Sequence, residues 1–198
     1  MKKILILFSH PKFESSRANA VLVDHIKGIE GVTFHDLYER YPDFHIDVPV
    51  EKALLDQHDV IIWHHPLYWY SCPPLMKQWM DMVLEFNWAY GPKGTALDSK
   101  ICFNAITAGG SRDLYCSAGT NTFSVNEFLR PFEQTANLCG MTYLPPFAVM
   151  GTHQLTNDEL IQHAHQYGAL INLLQQDESV GDFKDCAFLN DILQLNTD

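Results

Sequence analysis

The chain has 198 residues, 46% of them hydrophobic, enough for one globular domain with a sizeable core. Its formal net charge of −11 argues against a protein that tracks a nucleic-acid backbone, which needs a basic face, but leaves room for one small anionic ligand held by local donors. Its five cysteines are odd in number, widely spaced and without a CxxC pair, a pattern that points to free thiols in a reducing compartment.

The N-terminal run Ile4-Leu5-Ile6-Leu7-Phe8 is only five residues long and ends at Ser9-His10-Pro11 without a cleavage-like site, so it reads as a first strand rather than a signal peptide. No apolar run approaches the roughly 18 residues of a membrane span, and the expectation is a cytoplasmic protein. A polar stretch, Ser9 to Asn19, leads into a helix over Arg17 to Ile29, with Gly28 and Gly31 available to end it. Val32 to Tyr38 alternates as a half-exposed strand, a loop from Tyr41 reaches Pro49, and Val50 to Gln57 is a short helix.

Asp59 to Trp79 carries the most information. Val60-Ile61-Ile62-Trp63 suits a strand buried on both faces of a parallel sheet. The chain breaks at Pro66 into a turn crowded with Tyr68, Trp69 and Tyr70, and a helix begins after Pro73-Pro74 and runs from Leu75 to Phe86. A loop from Asn87 to Ser99 holds Trp88 and Tyr90. Ile101 to Thr107 is a strand ending at Ala108-Gly109-Gly110, and Ser124 to Leu138 is helical with Pro131 kinking or dividing it. The last strand, Met141 to Met150, is interrupted by Pro145-Pro146, and Thr156 caps a helix reaching about Gln176. Residues 1–176 form the domain; 177–198 are an extension without a strong signal.

Five strands alternating with helices imply one parallel sheet with right-handed crossovers, in the flavodoxin-like order 2-1-3-4-5 or as half a Rossmann fold. The turns after strands one, three and four then share one sheet edge. The first lacks both GxGxxG and GxxxxGK[ST] but brings Ser15, Ser16 and Asn19 to a helix start, an anion site suited to one phosphate. The second supplies flat aromatic walls, and the third a glycine floor that lets backbone approach a ligand. Phosphate cradle, aromatic wall and glycine floor together suit a phosphorylated flat ring such as FMN. Ordinary N-capping and simple turns are the competing uses of the same residues.

Other features are less promising. His64 and His65 are adjacent on a strand, where successive side chains face opposite ways and cannot chelate together; His163 and His165, two apart on a helix, do not share a face. No metal site is expected. Asp36, Asp43 and Asp47 read as solvated loop acids, and nothing adjacent to Cys72 would lower its pKa.

The stretches SHPKFESSRAN, LYERYPDFHID, HHPLYWYSCPPLMKQWMD, WAYGPKGTAL, TAGGS, LRPFE and YLPPF resemble those of the flavodoxin-like NAD(P)H:quinone oxidoreductases, and among them the ancillary flavoproteins of glutathione-gated potassium efflux systems. The resemblance covers residues 4 to about 175. It implies a flavodoxin-like three-layer fold with a five-stranded parallel sheet. It also implies that His10, Ser16, Arg17, Ala18 and Asn19 bind the flavin phosphate region, that Pro66, Leu67, Tyr68, Trp69 and Tyr70 flank the isoalloxazine, and that Thr107, Ala108, Gly109 and Gly110 border its pyrimidine edge. Tyr115 matches a tyrosine that assists hydride transfer in eukaryotic relatives, whereas Asn121 stands where they carry a histidine. Trp88 and Tyr90 fall in a loop that reaches the partner subunit's flavin in relatives, implying a homodimer. The implied activity is two-electron transfer from NAD(P)H through FMN, with FAD as the alternative, to a quinone. A regulatory role docked on a potassium efflux transporter at the inner face of the membrane is the second reading, and a one-electron carrier the third.

Overall fold

The computed structural model describes residues 1–176, 183 and 186–195. Its sheet runs in the order β2 (Val32–Asp36), β1 (Ile4–Phe8), β3 (Val60–Pro66), β4 (Ile101–Ala108) and β5 (Thr142–Tyr143), with β6 (Phe147–Met150) also paired to β4, and every pairing is parallel. The order is the flavodoxin-like 2-1-3-4-5. The fifth strand is divided into β5 and β6 because Pro145 and Pro146, which lack an N–H, interrupt it.

Alternation along the central strands builds two cores. Ile4, Ile6, Ile62 and Phe103 pack with Leu22 and Ile26 of α1 (Arg17–Ile26) and Tyr167 and Leu170 of α7 (Asn157–Gln175). Leu5, Leu7, Ile61 and Trp63 pack on the opposite face. Their neighbours there are Leu75 and Trp79 of α4 (Pro74–Val83), Leu55 of α3 (Val48–Asp56) and Phe132 of α6 (Arg130–Leu138). With helices on both faces, the central strands β1, β3 and β4 have no solvent side, which is why their sequences are almost continuously apolar.

Several boundaries differ from the sequence reading. The first helix stops at Ile26 because Gly28 takes φ 87°. The second strand ends at Asp36, whose carboxylate accepts the N–H groups of Tyr38 and Glu39 and caps a short helix, α2 (Leu37–Arg40). Asp47 likewise caps α3, and Asp43 accepts from the His45 N–H in the loop between, so all three of these acids bond to nearby backbone. The fourth helix ends at Val83, three residues early, before a tight turn in which Asn87 takes φ 64° and donates to the Tyr90 carbonyl. Pro131 divides the next helix into α5 (Val125–Phe128) and α6.

Where the sequence offered no signal after residue 176, α8 (Leu189–Leu195) forms. Its Leu189 N–H donates to the Pro146 carbonyl, Asn190 Oδ1 accepts from the Ala148 N–H, and Asp191 pairs with both Arg112 guanidinium nitrogens, at 3.0 and 3.1 Å. This segment covers the outer edge of β6, which would otherwise offer unpaired backbone groups. The remaining residues of the expected extension lie outside the described ones.

One buried carboxylate locks the β2 side. Glu51 is fully buried and accepts from His35 Nε2 at 2.8 Å, the Tyr41 hydroxyl at 2.5 Å and Trp79 Nε1 at 2.7 Å. Burial alone would push its pKa up, but the three hydrogen bonds together outweigh that and hold it below the usual carboxylate range.

Candidate functional site

Strand register decides where the loops converge. Phe8 pairs with His64, Pro66 with Thr107 and Ala108 with Met150, so the segments beginning at Ser9, Leu67, Gly109 and Gly151 leave the sheet at one edge. Between them lies a cleft of about 610 Å³, within the usual range for small-molecule sites.

Its first wall is the start of α1. Ser16 is the N-cap, and its Oγ accepts from the Asn19 N–H at 3.4 Å and from Asn19 Nδ2 at 2.9 Å. The N–H groups of Arg17 and Ala18, in the first turn, have no intrahelical carbonyl to bond, and the helix dipole adds partial positive charge there. The Arg17 guanidinium turns away to the carbonyls of Thr152 and Leu155 and to Asn157 Oδ1, binding the start of α1 to the segment after β6. Arg17 can therefore offer its backbone to an anion while its side chain fastens two loops. His10 closes this end, mostly buried and edge-on to Tyr68 with centroids 5.8 Å apart; burial lowers its pKa, against a weaker opposing pull from Glu14.

The second wall is the turn after β3. Leu67 donates its N–H to the Thr107 carbonyl, and Tyr68 and Ser71 exchange backbone hydrogen bonds around Trp69 and Tyr70. Those two residues take φ 47° and 63°, the left-handed pair of a type I′ turn that normally selects Asn and Gly. Two bulky aromatics there carry a torsional cost on the order of 1–2 kcal/mol each. The turn leaves Trp69 93% exposed, and Tyr70 stacks on Phe128 at 4.7 Å while its hydroxyl donates to Asn121 Oδ1.

The floor is Thr107 and Gly109. At Gly109 the absence of a Cβ leaves room for the exposed His153 ring, whose Nε2 would lie 2.6 Å from a Cβ built there. Gly110 and Ala108 lie behind the cleft, their carbonyls accepting the N–H groups of Gly151 and Thr152. Tyr115 is edge-on to Phe128 and packs against Gly110, and burial, with a smaller contribution from Tyr70, raises its pKa. Trp88 and Tyr90 are apart from the cleft in their own chain: the Lys52 ammonium sits over the Trp88 ring, and Tyr90 packs on Phe86.

Eleven of the residues singled out in the sequence thus line the cleft: His10, Ser15 to Asn19, Pro66 to Tyr68, Thr107 and Gly109. The others border it or lie elsewhere. Thr152, His153 and Leu155 also line it; these three could have been found by extending the sheet-edge argument to the turn after the fifth strand, where Gly151 marks the exit.

His64 and His65 do point to opposite faces. His64 Nε2 lies 3.1 Å from Asn19 Oδ1, and His65 Nδ1 2.9 Å from the Pro66 carbonyl. Burial pushes their pKa values down to about 3 and about 4, so both rings are neutral at pH 7. Cys72 is inert: burial pushes its thiol up to about 11. Among the described residues, no group of three or more His, Cys, Asp or Glu side chains is placed to hold a metal ion, and no helix is long and apolar enough to cross a membrane.

A family model for the flavodoxin-like fold matches residues 2–171. The chain belongs to this flavodoxin-like family. Among its relatives is the glutathione-regulated potassium-efflux system ancillary protein KefG of Shigella flexneri, 43% identical over 166 residues that cover 84% of this chain and 91% of that one. KefG of Salmonella agona is 45% identical over the same shares. Among solved structures, the chain is similar to general stress protein 14 of Treponema denticola in complex with FMN, with TM-score 0.84 and 39% identity, covering 87% of this chain and 99% of that one. It is also similar to an NADPH-quinone reductase from P. pentosaceus, with TM-score 0.78 and 33% identity, covering 85% and 96%.

Proposed function

We propose that the chain is a flavin-dependent NAD(P)H:quinone oxidoreductase that holds FMN in the cleft at the carboxyl edge of its sheet. The observation that carries this reading is the convergence of a helix-start anion cradle, an aromatic turn and a glycine floor on that cleft. The donor set fits the group: neutral hydroxyls and unpaired first-turn N–H groups suit a phosphate, and the Cβ-free backbone at Gly109 leaves that side of the cleft open to a flat ring. Similarity to an FMN complex and to an NADPH-quinone reductase supports the same assignment.

Ser16, Asn19 and the backbone of Arg17 and Ala18 would hold the phosphate, with Thr107 beside them. Tyr68 and the Trp69–Tyr70 turn would wall the ring, and backbone around Thr107 to Gly110 would border its polar edge. Bound there, FMN would supply the two-electron redox chemistry between NAD(P)H and a quinone. The protein's own part is to orient the reactants, exclude water and stabilise negative charge with fixed backbone donors. Tyr115, a neutral phenol packed against Gly110, would be a hydrogen-bond donor beside the glycine turn. In a homodimer Trp88 and Tyr90 would complete the partner's site; the adjoining Phe86, 60% exposed, is an apolar anchor for such an interface.

The test is the visible spectrum of the purified protein, followed by anaerobic NADPH and then a quinone. Flavin absorption that bleaches and returns is the expected result. Protein that cannot be reconstituted with FMN or FAD would overturn the cleft assignment. A second reading is favoured by the relatives' name: a cytoplasmic flavoprotein that docks on a potassium efflux transporter at the membrane's inner face, with catalysis secondary. Yellow protein that NADPH fails to bleach, yet that co-purifies with such a transporter, would select it.

A further inference from the structure

Behind the phosphate cradle lies a chain of hydrogen bonds that the proposed chemistry does not use. Tyr167, in the middle of α7, is fully buried, and its hydroxyl lies 3.5 Å from His64 Nδ1. His64 Nε2 lies 3.1 Å from Asn19 Oδ1, and Asn19 Nδ2 lies 2.9 Å from Ser16 Oγ and 3.0 Å from Thr107 Oγ1. His64 and Asn19 are also buried, at 0% and 1% exposure.

The direction of every bond in this chain follows from its buried end. Among the described residues the hydrogen-bond partner of the Tyr167 hydroxyl is His64 Nδ1, so its buried proton is satisfied only when it points at Nδ1 and that nitrogen is the unprotonated one of a neutral imidazole. The ring's single proton is then on Nε2 and is donated to Asn19 Oδ1. That fixes the amide: Nδ2 faces the two hydroxyls and donates one hydrogen to each. Ser16 Oγ and Thr107 Oγ1 are thereby acceptors on their inner side, which leaves both O–H hydrogens for donation into the cleft that the two residues line. With the amide reversed, the same hydroxyls would spend their hydrogens on the Asn19 oxygen and turn lone pairs toward an anion.

We infer that Tyr167 and His64 are positioning residues that set the polarity of Asn19, so that Ser16 and Thr107 present hydrogen-bond donors to the phosphate of bound flavin mononucleotide. This inference rests on the proposed FMN site. It deepens that reading by explaining how the cradle selects an anion while the Arg17 guanidinium is engaged with the carbonyls after β6.

Riboflavin, which carries the ring and lacks the phosphate, separates the two claims. In Tyr167→Phe the ring and its packing stay while the directing proton is removed. The dissociation constant for FMN should rise about tenfold, the loss of one hydrogen bond to a charged group. That for riboflavin should change less than about twofold, a difference too small to reflect a lost contact. His64→Gln, which keeps a donor near the Nε2 position, should restore most of the preference for FMN over riboflavin, and His64→Leu should abolish it. An unchanged FMN-to-riboflavin ratio in Tyr167→Phe and His64→Leu overturns the positioning role while leaving the FMN site standing. Wild-type protein that binds neither flavin overturns both. Nitrogen NMR of the wild-type protein gives a readout that needs no variant to fold: His64 should be the neutral Nε2–H tautomer, and an Nδ1–H tautomer would refute the inference.

Discussion

His64 and His65 are neighbours in sequence, equally buried, and used in opposite ways. Strand alternation sends His64 toward α1 and α7, where it donates through Nε2 to Asn19 and faces the phosphate cradle. It sends His65 toward α6, where its ring stacks on Phe132 at 5.4 Å. There Nδ1–H donates to the Pro66 carbonyl, Nε2 accepts from Asn104 Nδ2 at 2.9 Å, and Asn104 Oδ1 accepts from the Tyr143 hydroxyl at 2.6 Å. Each face therefore carries a histidine, an asparagine and a tyrosine. On one face the string ends in hydroxyls open to the cleft; on the other it ends in a backbone carbonyl at the root of the aromatic turn. The first prepares a binding surface and the second anchors a strand end.

The cradle side is the easier to break. Ser16→Asp would place a carboxylate where the phosphate is expected, and FMN affinity should fall about 100-fold while riboflavin affinity falls far less, as read by fluorescence titration. The anchoring side should respond in stability instead. Asn104→Leu strands the Tyr143 hydroxyl and His65 Nε2 in the core and should cost about 2–3 kcal/mol in urea unfolding, with the FMN-to-riboflavin ratio of the remaining folded protein unchanged. A shifted ratio would mean that the two faces are coupled.

Acid should act on both histidines at once. Each has a folded pKa below its unfolded value near 6.5, at about 3 for His64 and about 4 for His65, so the unfolded chain binds more protons between those limits. Stability should accordingly decline as pH falls below about 6.5, by up to about 1.4 kcal/mol per pH unit for each histidine. Glu51 adds a lower window: held below its usual pKa, it contributes stability above about 4.5 that is lost as it protonates. Urea midpoints at pH 7, 6 and 5 that do not move would contradict the neutral burial of both rings. The smallest effect belongs to Trp69→Ala, which should weaken FMN and riboflavin alike by about fivefold, because it touches the ring and not the phosphate.

Most of the fold was legible because the strands at Ile4, Val60 and Ile101 are almost purely apolar, and Gly28, Pro131 and Pro145-Pro146 punctuate the chain where it turns or breaks. The loops that build the cleft were legible from topology, since parallel strands deliver their exits to one edge. What escaped were features settled by tertiary partners. The short helix after Asp36 depends on a side-chain cap inside an apparent strand pattern. The docking of α8 depends on Arg112 and Ala148, far away in sequence. The aim of the Arg17 guanidinium depends on carbonyls more than 130 residues downstream. Tyr167 gave no hint at all, because a tyrosine on the apolar stripe of a helix is ordinary core until the histidine it faces is known.

The Trp69–Tyr70 turn also bears on any effort to improve this protein. Selection for thermal stability alone should favour Asn, Asp or Gly at both positions, since these residues tolerate the left-handed backbone that the two aromatics hold under strain. Selection for turnover should retain the aromatics. A screen that scores both properties would find its sharpest trade-off concentrated in this one dipeptide.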